Sequence, residues 1–241
     1  MIHGGHRLKI YTRVEHVLVA LATLFLPAIF LLIYGSFAKS DAFVLASGLG
    51  ISFARLLVGY AISLFVGLAI ALLIGTNKAG EWLMPVFDVL QNVPSFALIP
   101  VFALLLGYSN TMVVIFAATS IVWPILFYAL SALRTAHQEW DEAATIFGAV
   151  GWKRVWNYHL PLVFPAIVTG SIVGISIGWE AVIGLEIIGF HTGVGVFLDS
   201  ASKQGDQTAL FLGIVAILFL VVTINKLVWS PLLKHARLYA E

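Results

Sequence analysis

Cysteine is absent from this chain, which excludes disulfide staples, thiol nucleophiles and thiolate metal sites. Charge is almost as scarce. Asp, Glu, Lys and Arg make up 10% of the 241 residues, against about 25% in an ordinary soluble domain. So few charges cannot cover a water-facing surface, so lipid must cover part of it. A net charge of +1 supplies no electrostatic footprint for nucleic acid or another polyanion. No G-x-x-x-x-G-K-[ST] run occurs either, so no phosphate-cradling loop exists to bind ATP. What the chain has in excess is apolar: 61% of its residues are hydrophobic.

That material falls into six segments, roughly 17–35, 51–76, 84–107, 111–133, 161–188 and 208–230. Each is long enough to cross a hydrocarbon core about 30 Å thick as a helix. Short alternating segments of the β-barrel kind do not occur. The expected fold is all-α: a polytopic membrane bundle of six transmembrane helices, forming one domain over residues 1–241. The first run follows Arg7, Lys9 and Arg13 and precedes Ser36-Phe37-Ala38, in the manner of a signal peptide. Its length favours an uncleaved first helix.

Basic residues set the orientation. With six spans, both termini share a side with the loops near 77–83 and 134–160. That side carries 10 Lys and Arg residues; the other carries 3, namely Lys39, Arg55 and Lys203. The termini are therefore expected in the cytoplasm. The segment 189–207, "GFHTGVGVFLDSASKQGDQ", then lies outside, as a re-entrant or gating element or as an ordinary exposed loop.

Two rows of small residues run along the bundle. Gly59, Ser63, Gly67, Ala71 and Gly75 recur every fourth residue in the second segment, and Ala166, Gly170, Gly174 and Gly178 in the fifth. Such rows let helix backbones approach closely in lipid, within one subunit or against a second copy or a path. Arg55 and Glu186 extend the two rows toward the same end, and the two are expected to approach each other there. Separate snorkelling of each side chain is the alternative. In the third segment Asp88, Gln91, Asn92 and Ser95 form a polar stripe interrupted by Pro94 and Pro100. Candidates for a translocation path or gate are Arg55, Asn92, Ser95, Ser176, Glu180 and Glu186. No metal site is expected.

Between two apolar runs stands "EAATIFGAVGWKRVWNYHLP", Glu142–Pro161, too short and too polar to be a span. Trp140, Trp152, Trp156 and Tyr158 suit a membrane–water boundary. Gly148 permits a sharp turn between two short helices, and Pro161 suits the first turn of the fifth span. A structured cytoplasmic helix–turn–helix over about 135–160, able to hold a partner, is the expectation; an amphipathic loop without a partner is the alternative.

These residues resemble a family. Glu142-Ala143-Ala144, three residues, Gly148-Ala149, then Leu160-Pro161 is similar to the cytoplasmic signature of ABC-importer permease subunits. Tyr158 stands where that family usually has Ile. "SFARLLVGYAISLFVGLAIALLIG" (52–75) and "NVPSFALIPVFALLLG" (92–107) resemble other conserved parts. The Glu186 region is similar to an Ala-Glu element, with Leu185 in place of Ala. The likeness points to the nitrate, sulfonate and taurine branch, and to a type I importer permease fold.

The resemblance implies a permease with no covalent chemistry and no cofactor of its own, in a bacterial inner membrane. Implied partners are cytosolic ABC ATPase subunits that bind ATP, a second permease subunit, an extracytoplasmic substrate-binding protein and lipid. Glu142, Ala143, Ala144, Gly148 and Ala149 would shape the docking surface for an ATPase. A stand-alone secondary transporter or channel is the alternative; it would need paired ionisable groups near the midplane, which are sparse. An intramembrane Ser–His enzyme is a third reading, but His16, His159 and His191 sit at span ends or in loops.

Overall fold

A computed structural model describes residues 39–75, 79–135 and 138–237. The first apolar run, with its expected uncleaved helix, lies outside the described residues. Among those described, every regular element is helical. In chain order they are α1 (Lys39–Gly75), α2 (Ala79–Gln91), a 3₁₀ turn (Ser95–Leu98), α3 (Ile99–Leu106), α4 (Asn110–Arg134) and α5 (Gln138–Ile146). There follow α6 (Trp152–Gly189), α7 (Val194–Gln204), α8 (Gln207–Ile224), a π turn (Asn225–Trp229) and α9 (Ser230–Arg237).

Four helical stretches are long and apolar enough to cross a membrane: Ala42–Gly75, Asn110–Arg134, Trp152–Gly189 and Gln207–Ala236. The third apolar segment is not one straight span. It breaks into Trp82–Gln91 and Ser95–Leu106, bent by 82°. Pro94, lacking an N–H, takes an extended conformation and precedes the 3₁₀ turn, while Pro100 falls in the first turn of α3, where its missing donor costs nothing. The sequence stripe Asp88, Gln91, Asn92, Ser95 is therefore not one helix face. Asp88, Gln91 and Asn92 close α2, and Ser95 opens the next element beyond the break.

The inner helix is α4: 56% of its most apolar window is buried, twice the 28% of the other three spans. The small-residue rows explain why. A methyl on Gly59 would sit 3.1 Å from the Val114 carbonyl oxygen, and one on Gly67 3.3 Å from that of Val122. Beside them, Gly170 approaches the Pro124 carbonyl and Gly174 and Gly178 approach Ile121 equally closely, Gly178 meeting Leu56 of α1 as well. Ser63 donates locally to Gly59 and also lies 2.8 Å from the Ala118 carbonyl, covering backbone that lipid could not solvate. Both rows thus pack on α4 within one subunit, which decides between the two readings of their spacing. Around α4 the core gathers Leu56, Phe116, Ile121, Ile125, Val182 and Leu185.

The segment 189–207 is neither free nor wholly exposed. After a turn it forms α7, whose first residues, Val194 and Gly195, are buried. Gly205, left-handed at φ 70°, ends α7, and Asp206 caps α8 by accepting from the amides of Thr208 and Ala209 at 3.0 and 2.9 Å. The Gly148 region also differs from two separate short helices. Its second helix begins at Trp152 and runs without a break through a π turn (Val155–His159) into α6.

Candidate functional site

At one end of the bundle, four elements converge on two charges. Ser52 and Arg55 stand one turn apart on α1, Asn110 begins α4, Glu186 lies in the last turn of α6, and Thr192–Gly195 lead into α7. Arg55 and Glu186 do meet: Nη1 is 2.6 Å from Oε1, with the residues 5% and 1% exposed. The guanidinium has five N–H donors, and the surrounding acceptors occupy all of them. Nε and Nη2 donate to the Asn110 side-chain oxygen, Nη2 to Thr192 Oγ1 at 2.8 Å, and Nη1 to the Thr192 carbonyl at 2.7 Å as well as to Glu186. The Phe190 ring covers the guanidinium at 5.8 Å.

Glu186 is satisfied just as fully. Ser52 Oγ lies 2.8 and 2.7 Å from its two oxygens and 3.0 Å from the Gly48 carbonyl, so the carboxylate is the nearer acceptor for its hydroxyl. The Gly195 amide donates to Oε2 at 3.0 Å, while the Val194 amide donates to Ser52 Oγ at 2.8 Å. Two first-turn amides of α7, which have no partner within their own helix, are thus aimed at the acid or at its hydroxyl neighbour. Gly193, at φ 125°, presses its backbone onto the carboxylate, and a side chain there would overlap it. The Gly193-x-Gly195 pair is what lets the loop wrap the acid. Buried charges survive in a membrane protein when paired and fully hydrogen-bonded, and this pair is.

Sequence reasoning named Arg55 and Glu186 but missed Ser52, Asn110, Thr192, Gly193 and Gly195. Ser52 had a signal, standing one turn before Arg55 on the same helix face. The glycines had another, in their G-x-G spacing beginning at Gly193, just after Glu186.

The remaining path candidates sit elsewhere. Ser176 and Glu180 are exposed, one turn apart on α6. Asn92 is exposed and caps the end of α2 through the Asp88 carbonyl, while Ser95 is half-buried at the start of the 3₁₀ turn. Phe96 joins these two regions. Its ring lies against Gly184, one turn after Glu180, where any side chain would collide with it.

The other end of α6 carries the Gly148 turn. Glu142, Ala143 and Ala144 are on α5, and Gly148 at φ 75° and Gly151 at φ 54° reverse the chain. Arg154 donates across the turn to Thr145 Oγ1 at 3.3 Å and lies over the Tyr158 ring at 5.9 Å. Ala143, Ala144, Gly148 and Ala149 line a concavity of about 710 Å³ with Trp140 and Tyr158. Beside it Ile146 and Phe147 are 82% and 89% exposed. Glu186 lies 34 residues from Trp152 on the same helix, about 50 Å away by helical rise.

Long apolar helices around an inner span, a sealed ionic cluster at one end and a sculpted polar turn at the other define a multi-pass, all-α membrane protein built as a permease. The chain belongs to the family of binding-protein-dependent transport system inner membrane components, which it matches over residues 67–229, more than half its length. It is a multi-pass inner-membrane protein, in the ABC-importer branch that includes several anion and sulfonate permeases.

Among its relatives, the nitrate import permease protein NrtB of Leptolyngbya laminosa is 25% identical over 73% of this chain and 64% of that protein. The bicarbonate transport system permease protein CmpB of Synechococcus elongatus is 28% identical, over 69% and 60%. The taurine transport system permease protein TauC of Escherichia coli is 24% identical, over 70% and 62%. The chain therefore spans a little under two thirds of the length of these relatives.

Proposed function

We propose that the protein is the transmembrane permease subunit of an ATP-driven importer, providing the path for a small solute and performing no covalent chemistry itself. Six spans with both termini in the cytoplasm follow from the apolar segments and from the 10-to-3 distribution of basic residues. The α5–Gly148 turn then faces the cytoplasm, and the Arg55–Glu186 cluster lies at the external end as part of the outer gate. A second permease subunit completes the path, an extracytoplasmic binding protein delivers the solute, and two cytosolic ATPases supply the energy. Nitrate, bicarbonate and taurine, named for the relatives, mark the range of solutes from which analogy starts.

The observation that carries this reading is the turn itself. Ile146, Phe147 and Val150 stand exposed next to a concavity floored by small Ala and Gly residues. Apolar side chains presented on a polar turn, away from the spans, suit a protein partner. Because the turn continues unbroken into α6, movement of a docked ATPase would be transmitted along one rigid helix toward Glu186. ATP can shift the bundle between inward- and outward-open states only by favouring one of them.

The test is co-purification with candidate ATPase subunits, comparing the natural chain with a Glu142→Ala, Gly148→Asp variant. Retention by the natural chain and loss by the variant is the expected result. A natural chain that never retains an ATPase would overturn the reading, and a stand-alone transporter would take its place.

A further inference from the structure

Arg55 is the one basic residue among the described residues 42–75, 110–133, 160–189 and 207–225, with Lys226 and Lys234 further along the fourth span, and Arg55 has no donor left to offer. An anion could be held there only by dismantling the outer cluster. The acids are placed differently. Glu180 is exposed and has no hydrogen bond or ion pair among the described residues. It lies on an exposed stripe of α6 with Val173, Ser176, Ile177 and Ile187, opposite the Gly170, Gly174 and Gly178 face that packs on α4. Six residues separate it from Glu186, so it stands about 9 Å inside the sealed cluster along the helix.

A carboxylate at that depth is not left in lipid; it faces water or another protein surface. The neighbouring element supports water. Phe96 seats the broken segment against Gly184, one turn from Glu180, and exposed Asn92 and half-buried Ser95 stand at that break. Irregular backbone within a membrane is tolerated where it lines a wet cavity or is buried in protein.

We propose, resting on the permease reading above, that the Ser176–Glu180 stripe and the Asn92–Ser95 break are walls of a hydrated path that selects for positive charge. The solute then carries a protonated amine or another cationic nitrogen, with or without an acid group. This narrows the range suggested by the relatives away from bare oxyanions. Glu180 acts as a specificity-determining group: a solute that has passed the outer cluster meets its carboxylate one and a half turns further in.

The absence of cysteine from this chain makes the test direct, because an introduced thiol is the only one on the permease band, where labelling is read after the subunits are separated. A Ser176→Cys chain, purified with its ATPase subunits and reconstituted in liposomes, is treated with two thiosulfonates of similar size. One carries a trimethylammonium group and the other a sulfonate. The expected result is labelling by the cationic reagent at least about tenfold faster than by the anionic one, after correction for their rates with a free thiol. That is a modest demand on a full charge one helical turn away. In Ser176→Cys with Glu180→Gln, the ratio should fall to that of the free thiol.

Ser95→Cys is the second reporter, should the first disturb folding. Failure of both positions to label, a ratio unmoved by Glu180→Gln, or preference for the anionic reagent would each overturn the proposal. Retention of the ATPases is scored separately on the same preparations. A permease that keeps its ATPases but shows no charge preference defeats only this inference.

Discussion

Arg55 of α1 and Glu186 of α6 are joined by a 2.6 Å contact between two helices that pack on α4 and on each other, Tyr60 donating to Ser171 at 3.0 Å and Gly178 lying against Leu56. Each charge has its own set of further partners: Asn110 and Thr192 serve the guanidinium, and Ser52 and the Gly195 amide serve the carboxylate. The pair is therefore the centre of a cluster that ties α1, α4, α6 and the entry to α7 together.

Breaking this pair from one side is expected to be costly. Arg55→Ala or Glu186→Ala leaves a buried charge without its partner and should remove about 3–5 kcal/mol of stability. Exchanging the charges, Arg55→Glu with Glu186→Arg, should not restore it. A guanidinium at 186 would face the Gly195 N–H and Gly193 backbone, which are built to meet an acceptor. Thermal unfolding of the detergent-purified variants measures this. Full recovery in the exchanged variant would show that the backbone donors contribute nothing.

The loop that wraps Glu186 gives a sharper contrast between glycines. Gly193 and Gly205 both have positive φ, 125° and 70°, but only Gly193 has no room for a methyl. Gly205→Ala should cost about 1 kcal/mol, the ordinary strain of a left-handed residue. Gly193→Ala should cost more and loosen α7 from the bundle, read as faster amide hydrogen exchange over Val194–Gln204. Equal effects at the two sites would mean that the close approach to Glu186 is unimportant.

The helix rows were legible in the sequence because a period of four is a local property of one segment. It put Gly59, Gly67, Gly170 and Gly174 on faces, and Arg55 and Glu186 on extensions of them. What a period cannot carry is contact between distant positions. Ser52 and Glu186 lie 134 residues apart and Ser52 and Val194 142 apart, and nothing local to either announces the other. The 82° bend was foreshadowed by two prolines, but the seating of Phe96 on Gly184, 88 residues away, was not. The continuity of the turn with α6 was hidden as well. Val155–His159 reads as a polar loop, yet a π turn widens the helix there without ending it.

The glycines of α1 and α6 should differ in how much packing rests on them. Gly50 has nothing within 4 Å of where a methyl would go, so Gly50→Ala should be neutral or stabilising by about 0.5–1 kcal/mol, the helical preference of Ala over Gly. Gly178→Val on α6 would drive a side chain into Ile121 and Leu56, both fully buried, and should destabilise by about 1–3 kcal/mol. The ranking, measured by melting temperature in one detergent, is the prediction. A destabilising Gly50→Ala would place another element of the protein against that face.

The exposed turn separates folding from docking. Phe147 is 89% exposed and Ile146 82%, so neither supports the core. Phe147→Ser with Ile146→Ser should leave the melting temperature of the isolated permease within about 1–2 °C, as exposed substitutions usually do. If these two side chains enter a pocket on the ATPase, their loss removes two desolvated apolar anchors. Affinity should then fall by at least tenfold, a change of about 1.4 kcal/mol that is modest for hot-spot residues. Gly148→Ala tests the shape of the same surface. It has space for a methyl but sits at φ 75°, so the strain is local and the turn, not the bundle, should shift. Titration of the purified ATPase against the permease in nanodiscs reads both effects. Unchanged binding in the double serine variant would move the docking surface away from this turn, to the α5 helix around Glu142 or elsewhere.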